Sequence, residues 1–154
     1  MAFWWAMQGK TFADESEGGY FFAPGAKSAN SYHWQTLDRA ATGDRVFSYV
    51  AGKICAIATV TAPVELAPAP SCNPSKNVGP GRRVAAQYAL IQPPLYIRTL
   101  PMVVLDALAC FHGPLNRRHT GNQGYFFEMD SIAAQEIMTR IANTHASASA
   151  SVPQ

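Results

Sequence analysis

The sequence predicts an α+β fold: a small mixed β-barrel, mainly antiparallel, with flanking helices. Three observations point there. Short aromatic or β-branched runs recur between Gly, Pro and Asn turns, whereas helical periodicity is confined to a few short segments. A length of 154 residues, with 48% hydrophobic and 14% charged, suits one domain that buries a substantial core and is too short for two ordinary ones. Five or six strands closing on themselves, with helices after the first strand and at the carboxyl end, is the natural way to bury such runs.

The elements follow in order. Phe3 to Gln8 is an aromatic and apolar strand stopped by Gly9, and Asp14 to Gly19 reads as a polar, glycine-ended loop. Tyr20 to Ala23 is too short for a core strand of its own, and Pro24 to Ser31 has the composition of a mobile loop. Tyr32 to Ala41 sets Trp34, Leu37 and Ala41 on one face of a short helix. Arg45 to Val50 and Ile54 to Thr61 form an antiparallel hairpin across the Ala51-Gly52-Lys53 turn. A long connection broken by Pro63, Pro68, Pro70, Pro74 and Pro80 leads to a strand over Arg82 to Ile91. In that strand Val84, Ala86, Tyr88 and Leu90 share a face, and Pro93-Pro94 closes it. A short helix falls within Ile97 to Phe111, a basic loop spans His112 to Asn122, and a last strand spans Gly124 to Met129. Asp130 or Ser131 caps a helix to Ala142 whose buried side is Ile132, Gln135, Ile137, Met138 and Ile141. The domain therefore spans residues 1–142, and the Ser/Ala-rich residues 143–154 are expected to be a disordered tail or linker.

Composition narrows the function classes. A formal net charge of +2 permits a polyanionic partner without demanding one. Cys55, Cys72 and Cys110 are an odd set without CxxC spacing, which argues against a disulfide framework or zinc site and for a reducing cytoplasm. His33, His112, His119 and His145 show no ligand spacing with them, so no metal or cofactor is expected. No apolar run approaches the roughly 20 residues of a spanning helix, so no membrane partner is expected. No nucleophile motif or phosphate loop is present, and a binding domain is expected, not an enzyme.

Trp4-Trp5 with Gln8 and Thr11, Gly18-Gly19-Tyr20 with Ala23-Pro24, Gly43-Asp44 leading to Phe47 and Tyr49, and Gly121-Asn122-Gln123-Gly124 occur in order from Met1 to about Ile141. In these motifs the chain resembles the EVE domain of the PUA-like superfamily, related to YTH readers, and in particular the type fused to HNH nucleases in modification-dependent restriction. The resemblance implies a module that binds modified double-stranded DNA and flips a 5-methylcytosine or 5-hydroxymethylcytosine into an aromatic pocket. An HNH or other nuclease would lie on another domain or chain. The alternative is a YTH-like reader of modified RNA. Flipping costs about a few kcal/mol, which stacking and hydrogen bonds must recover, and a buried methyl adds only about 0.8 kcal/mol.

For the pocket, the resemblance and the residue chemistry together nominate Trp5, Gln8, Gly9, Lys10, Thr11, Tyr20, Phe21, Phe22, Trp34 and Tyr49. Phe22 stands where relatives commonly carry tryptophan, and Met7 where asparagine is common. Strand alternation sends Trp4 and Trp5 to opposite faces, so at most one faces the pocket. Trp34 and Tyr49 equally suit the core. For phosphate contact the candidates are Lys10, Arg82, Arg83, Asn116, Arg117, Arg118, His119, Asn122 and Gln123, with Lys27 in the mobile loop as a further one. Gln123 also suits a base edge.

Overall fold

The computed structural model describes residues 1–24, 36–70 and 80–150, the last six as backbone only. Among them lie seven strands: β1 (Phe3–Met7), β2 (Tyr20–Ala23), β3 (Arg45–Val50), β4 (Lys53–Val60), β5 (Glu65–Ala67), β6 (Gly81–Tyr96) and β7 (Phe126–Glu128). Three α-helices accompany them: α1 (Phe12–Gly18), α2 (Met102–Leu108) and α3 (Ser131–Ala150). The strand order is β2-β6-β4-β3-β1-β7, with β5 beside β6, and the sheet curls into a half-barrel. β1 runs parallel to β3 with Trp5 opposite Phe47, while the other pairings are antiparallel.

Each strand face has its own core. Phe3 and Trp5 of β1, Phe47, Ile54 and Phe127 pack beneath Val104, Leu105 and Leu108 of α2 and Ala134, Ile137 and Ile141 of α3. Trp4, Ala6, Phe21, Val46, Ala58, Val84 and Phe126 fill the inside of the curl. Period-two alternation along β1 and β7 produces this division, and it sends the two tryptophan rings apart. Trp4 stacks on Phe126 at 5.2 Å and donates its indole N–H to Asp44 Oδ2 at 2.9 Å. The same carboxylate accepts from the Ala2 and Ala41 backbone, which pins the start of β1 beside β3.

The β3–β4 hairpin forms over the expected residues. Ala51 and Gly52 take φ of 49° and 84°, the two positive values that a twist-matched tight turn requires. Elsewhere the structure departs from the sequence reading. The polar stretch before Gly19 is the helix α1, not a loop. Asp14 and Glu15 suit its first turn, and Gly19 at φ 74° ends it with a left-handed cap, its N–H donating to Glu15 O at 2.8 Å. Tyr20–Ala23 is a full core strand because β6 pairs with all four residues.

β6 does not stop at Pro93-Pro94. Its pairing jumps from Leu90 opposite Ala56 to Leu95 opposite Ile54, so the prolines sit in an irregularity where no ladder N–H is needed. The same jump breaks the alternation, leaving Leu90 exposed and burying Ile91. Of the predicted helix over Tyr32 to Ala41, the described part is a 3-10 turn at Thr36–Arg39, with Leu37 and Ala40 inward at a spacing of three. Asp130 caps α3 by accepting the Ala133 N–H at 2.9 Å. Ala133 and Ala134 face the core there, and Ile132 and Gln135 point to solvent. α3 continues to Ala150 where a structureless tail is expected after Ala142, since alanine is the best helix former.

Candidate functional site

β2 and β7 end the strand order on opposite sides, and the curl of the sheet brings them face to face without a ladder between them. A carboxylate fills the seam. Glu15, on α1, accepts the Phe22 backbone N–H from β2 at 2.7 Å on Oε2, and the same oxygen accepts the hydroxyl of Tyr125, one residue before β7. The Tyr125 hydroxyl oxygen also lies 3.2 Å from the Phe22 nitrogen. On Oε1, Glu15 accepts the Thr11 hydroxyl at 2.7 Å and the Gln8 amide at 3.2 Å. Gln8 donates its second amide hydrogen to Tyr88 Oη at 2.9 Å, and Tyr88 donates to Tyr20 O at 2.8 Å.

This network ties the end of β1, the turn after it, α1, β2, β6 and the approach to β7 into one unit. Glu15 and Gln8 are nearly sealed from water, at 3% and 2% exposed. Burial lifts the Glu15 pKa above the usual carboxylate range, while hydrogen bonds from Tyr125, Thr11, the Phe22 backbone and Gln8 pull against it. Burial and the neighbouring Glu15 charge hold the Tyr88 and Tyr125 hydroxyls protonated far beyond the ordinary phenol range. Both phenols therefore act as neutral hydrogen-bonding groups.

Beside the network opens a cleft of about 500 Å³. Met7 and the Gln8-Gly9-Lys10-Thr11 turn line one part, Phe22 and Pro24 another, and Gln123, Gly124 and Tyr125 the third. Pockets of roughly 300–1,000 Å³ with mainly apolar walls and a few placed polar groups are the usual form of a small-ligand site. Gly121, in the loop before Gln123, packs behind Met7. A Cβ there would stand 3.2 Å from the Met7 methyl and 3.5 Å from the Tyr49 ring, so glycine lets the loop close onto β1.

The structure thus brings Gln8, Gly9, Lys10, Thr11, Phe22 and Gln123 to one cleft, and among the described residues it leaves Trp5, Tyr20, Phe21 and Tyr49 out of it. Trp5 lies in the helix-side core against Tyr49 at 5.2 Å. Tyr49 packs against that same core, and Phe21 fills the inside of the curl against Tyr88 at 5.0 Å. Tyr20 lies under the Arg83 guanidinium at 5.1 Å. Trp34, Lys27 and Cys72 fall outside the described residues. Sequence patterns do not single out Glu15, Tyr88 or Tyr125; for Glu15 the available signal is a carboxylate four positions before the Gly19 stop.

The cationic candidates divide too. Arg82 is largely buried and bound through Nε to Asp38 at 2.8 Å, Arg83 reaches Glu65 at 3.5 Å, and His119 Nε2 meets Asp106 at 2.8 Å. Asn116 accepts the Arg118 and Thr120 backbone N–H groups, and Asn122 donates to Gly113 O at 2.9 Å, so both amides build their loop. Lys10, Arg117 and Arg118 are exposed and make no ion pair among the described residues. Lys10 lies on the cleft, and the Arg117-Arg118 loop returns to it through Gly121 to Gly124.

No family model matches the sequence, and no curated protein matches it. Solved structures do resemble the fold. A protein from Pseudomonas putida aligns with TM-score 0.60 at 13% identity, covering 91% of this chain and 99% of that one. The YTH domain of Zygosaccharomyces rouxii MRB1, solved with N6-methyladenosine RNA, aligns with TM-score 0.57 at 11% identity, covering 91% and 86%. Human THYN1, solved with DNA containing 5-methylcytosine, aligns with TM-score 0.55 at 14% identity, covering 92% and 98%. The chain has the α+β, PUA-like fold that these proteins share.

Proposed function

We propose that this protein is a modified-base reader that binds double-stranded DNA and takes an extruded 5-methylcytosine or 5-hydroxymethylcytosine into the cleft at the β2–β7 seam. The observation that carries the reading is the cleft itself: Phe22 and Tyr125 line it, and the Gln8-Gly9-Lys10-Thr11 turn, with its exposed Lys10, runs along it. A flat ring supplies dispersion contact with any base, while glycine allows close backbone approach. Lys10, Arg117 and Arg118 suit the phosphates on either side of an extruded nucleotide. The fold's occurrence in THYN1 with 5-methylcytosine DNA supports this choice. Its occurrence in a YTH domain with N6-methyladenosine RNA supports the alternative, a reader of modified RNA.

In this reading the protein works in the cytoplasm as the targeting module of a modification-dependent restriction system. It acts by binding, and any cleavage belongs to an HNH or other nuclease on a separate domain or chain. The test is an anisotropy titration of the whole chain with duplexes that differ only in cytosine, 5-methylcytosine or 5-hydroxymethylcytosine, beside an N6-methyladenosine RNA. Tighter binding of a modified duplex is expected. Equal affinity throughout overturns base reading, and preference for the RNA overturns the DNA assignment in favour of the alternative.

A further inference from the structure

The Gln8 amide has only one orientation that its surroundings accept. Nε2 faces Glu15 Oε1 and Tyr88 Oη, at 3.2 Å and 2.9 Å. Glu15 is a carboxylate that already collects donors. Tyr88 donates its single proton to Tyr20 O at 2.8 Å, so towards Gln8 it can only accept. Turning the amide over would set its carbonyl against two acceptors and lose both bonds. The NH2 group therefore belongs to the network and the carbonyl to whatever lies on its other side. That carbonyl, Oε1, is buried without a partner among the described residues, in a residue that lines the cleft, so a ligand reaches it by displacing the atoms that cover it. A buried acceptor left unmet is costly, and a ligand that brings an N–H to it removes the cost.

Resting on the base-reader reading, we propose that the Gln8 side-chain carbonyl selects the base by accepting from its exocyclic amine, with Glu15 as the positioning residue that fixes the amide. On cytosine the donor at the pairing edge is the N4 amine. Thymine carries the same 5-methyl group but presents an oxygen at that position, which would oppose the Gln8 carbonyl. The cleft then separates 5-methylcytosine from thymine by the polarity of one contact, where the methyl group cannot. Thr11 and Tyr125 act one step back, by holding the carboxylate that holds the amide.

The experiment measures binding of the whole chain to duplexes carrying one test base opposite guanine: 5-methylcytosine, thymine, or 5-methylpyrimidin-2-one, which lacks the amine and adds no oxygen. The latter two pair less well with guanine and leave the stack more easily, so weaker binding to them opposes the bias of the substrate. Loss of one matched hydrogen bond is expected to weaken both by about tenfold or more relative to 5-methylcytosine. Gln8→Met is expected to bind 5-methylcytosine and the amine-free base alike, within about twofold by the same reasoning. Glu15→Gln is expected to narrow the wild-type gap while the thermal melt shows a folded chain. If the wild-type protein prefers 5-methylcytosine over cytosine yet binds the amine-free base equally well, the acceptor role is overturned and the base-reader reading stands. If it prefers no modified duplex over cytosine, both fall together.

Discussion

Replacing Tyr125 with phenylalanine removes one oxygen and leaves the ring that lines the cleft. That oxygen donates to Glu15 Oε2 and lies 3.2 Å from the Phe22 nitrogen, in a seam with no strand ladder. Hydrogen bonds to charged groups contribute about 1.5–3 kcal/mol, against about 0.5–1.5 kcal/mol for neutral pairs. Glu15 is only 3% exposed, so bulk water cannot readily replace the lost donor and the upper part of that range applies. Phe22 N–H, Thr11 and Gln8 still donate to the carboxylate, which limits the loss to about 2–3 kcal/mol for one charged bond. At about 2–4 °C per kcal/mol for a chain of this size, Tm should fall by about 4–12 °C. Urea denaturation of Tyr125→Phe, Thr11→Val and the double variant measures the loss and its coupling, because both hydroxyls serve one carboxylate. A loss below about 0.5 kcal/mol for Tyr125→Phe, the level of an ordinary surface substitution, would refute the seam network.

Three further outcomes follow from the same contacts. Glu15 has a raised pKa in the folded chain, so its contribution to stability is complete below the unfolded value and is lost as pH rises through the folded one. Wild type should therefore gain stability relative to Glu15→Gln on going from neutral to acidic pH, and a difference in urea midpoints that moves the other way would count against a desolvated carboxylate. Gly19→Ala forces a Cβ into φ 74° and within 3.1 Å of Ala86 O, and a loss of about 1–2 kcal/mol in chemical denaturation is expected from the left-handed conformation alone. In DNA titrations Phe22→Ala should reduce discrimination between modified and plain cytosine, whereas Arg117→Ala should weaken all duplexes alike and flatten the salt dependence by about one unit of slope. Effects of both substitutions confined to thermal stability would remove the cleft assignment.

Much of the fold was legible because its signals are local. The Ala51-Gly52 turn, the alternation of β1 and the Asp130 cap each lie within a few residues of the chain they shape. The helix α1 is not legible in the sequence, since seven mostly polar residues carry no apolar stripe and a glycine cap looks the same as the end of a loop. The site was harder still. Aromatic rings near the start of the chain look alike in sequence, and only the pairing registers decide that Phe22 lines the cleft while Phe21 and Trp5 fill cores. Glu15 and Tyr125 are separated by 110 residues, so their meeting depends on the curl of the whole sheet.

The most direct measurement is a crystal structure of the whole chain with a duplex carrying a single 5-methylcytosine. The account predicts the modified base turned out of the helix, lying in the cleft with its ring against Phe22 or Tyr125 and its amine within ordinary hydrogen-bond range of Gln8 Oε1, about 2.7–3.2 Å. A complex in which that base stays stacked and paired while the DNA contacts another face of the protein would contradict it.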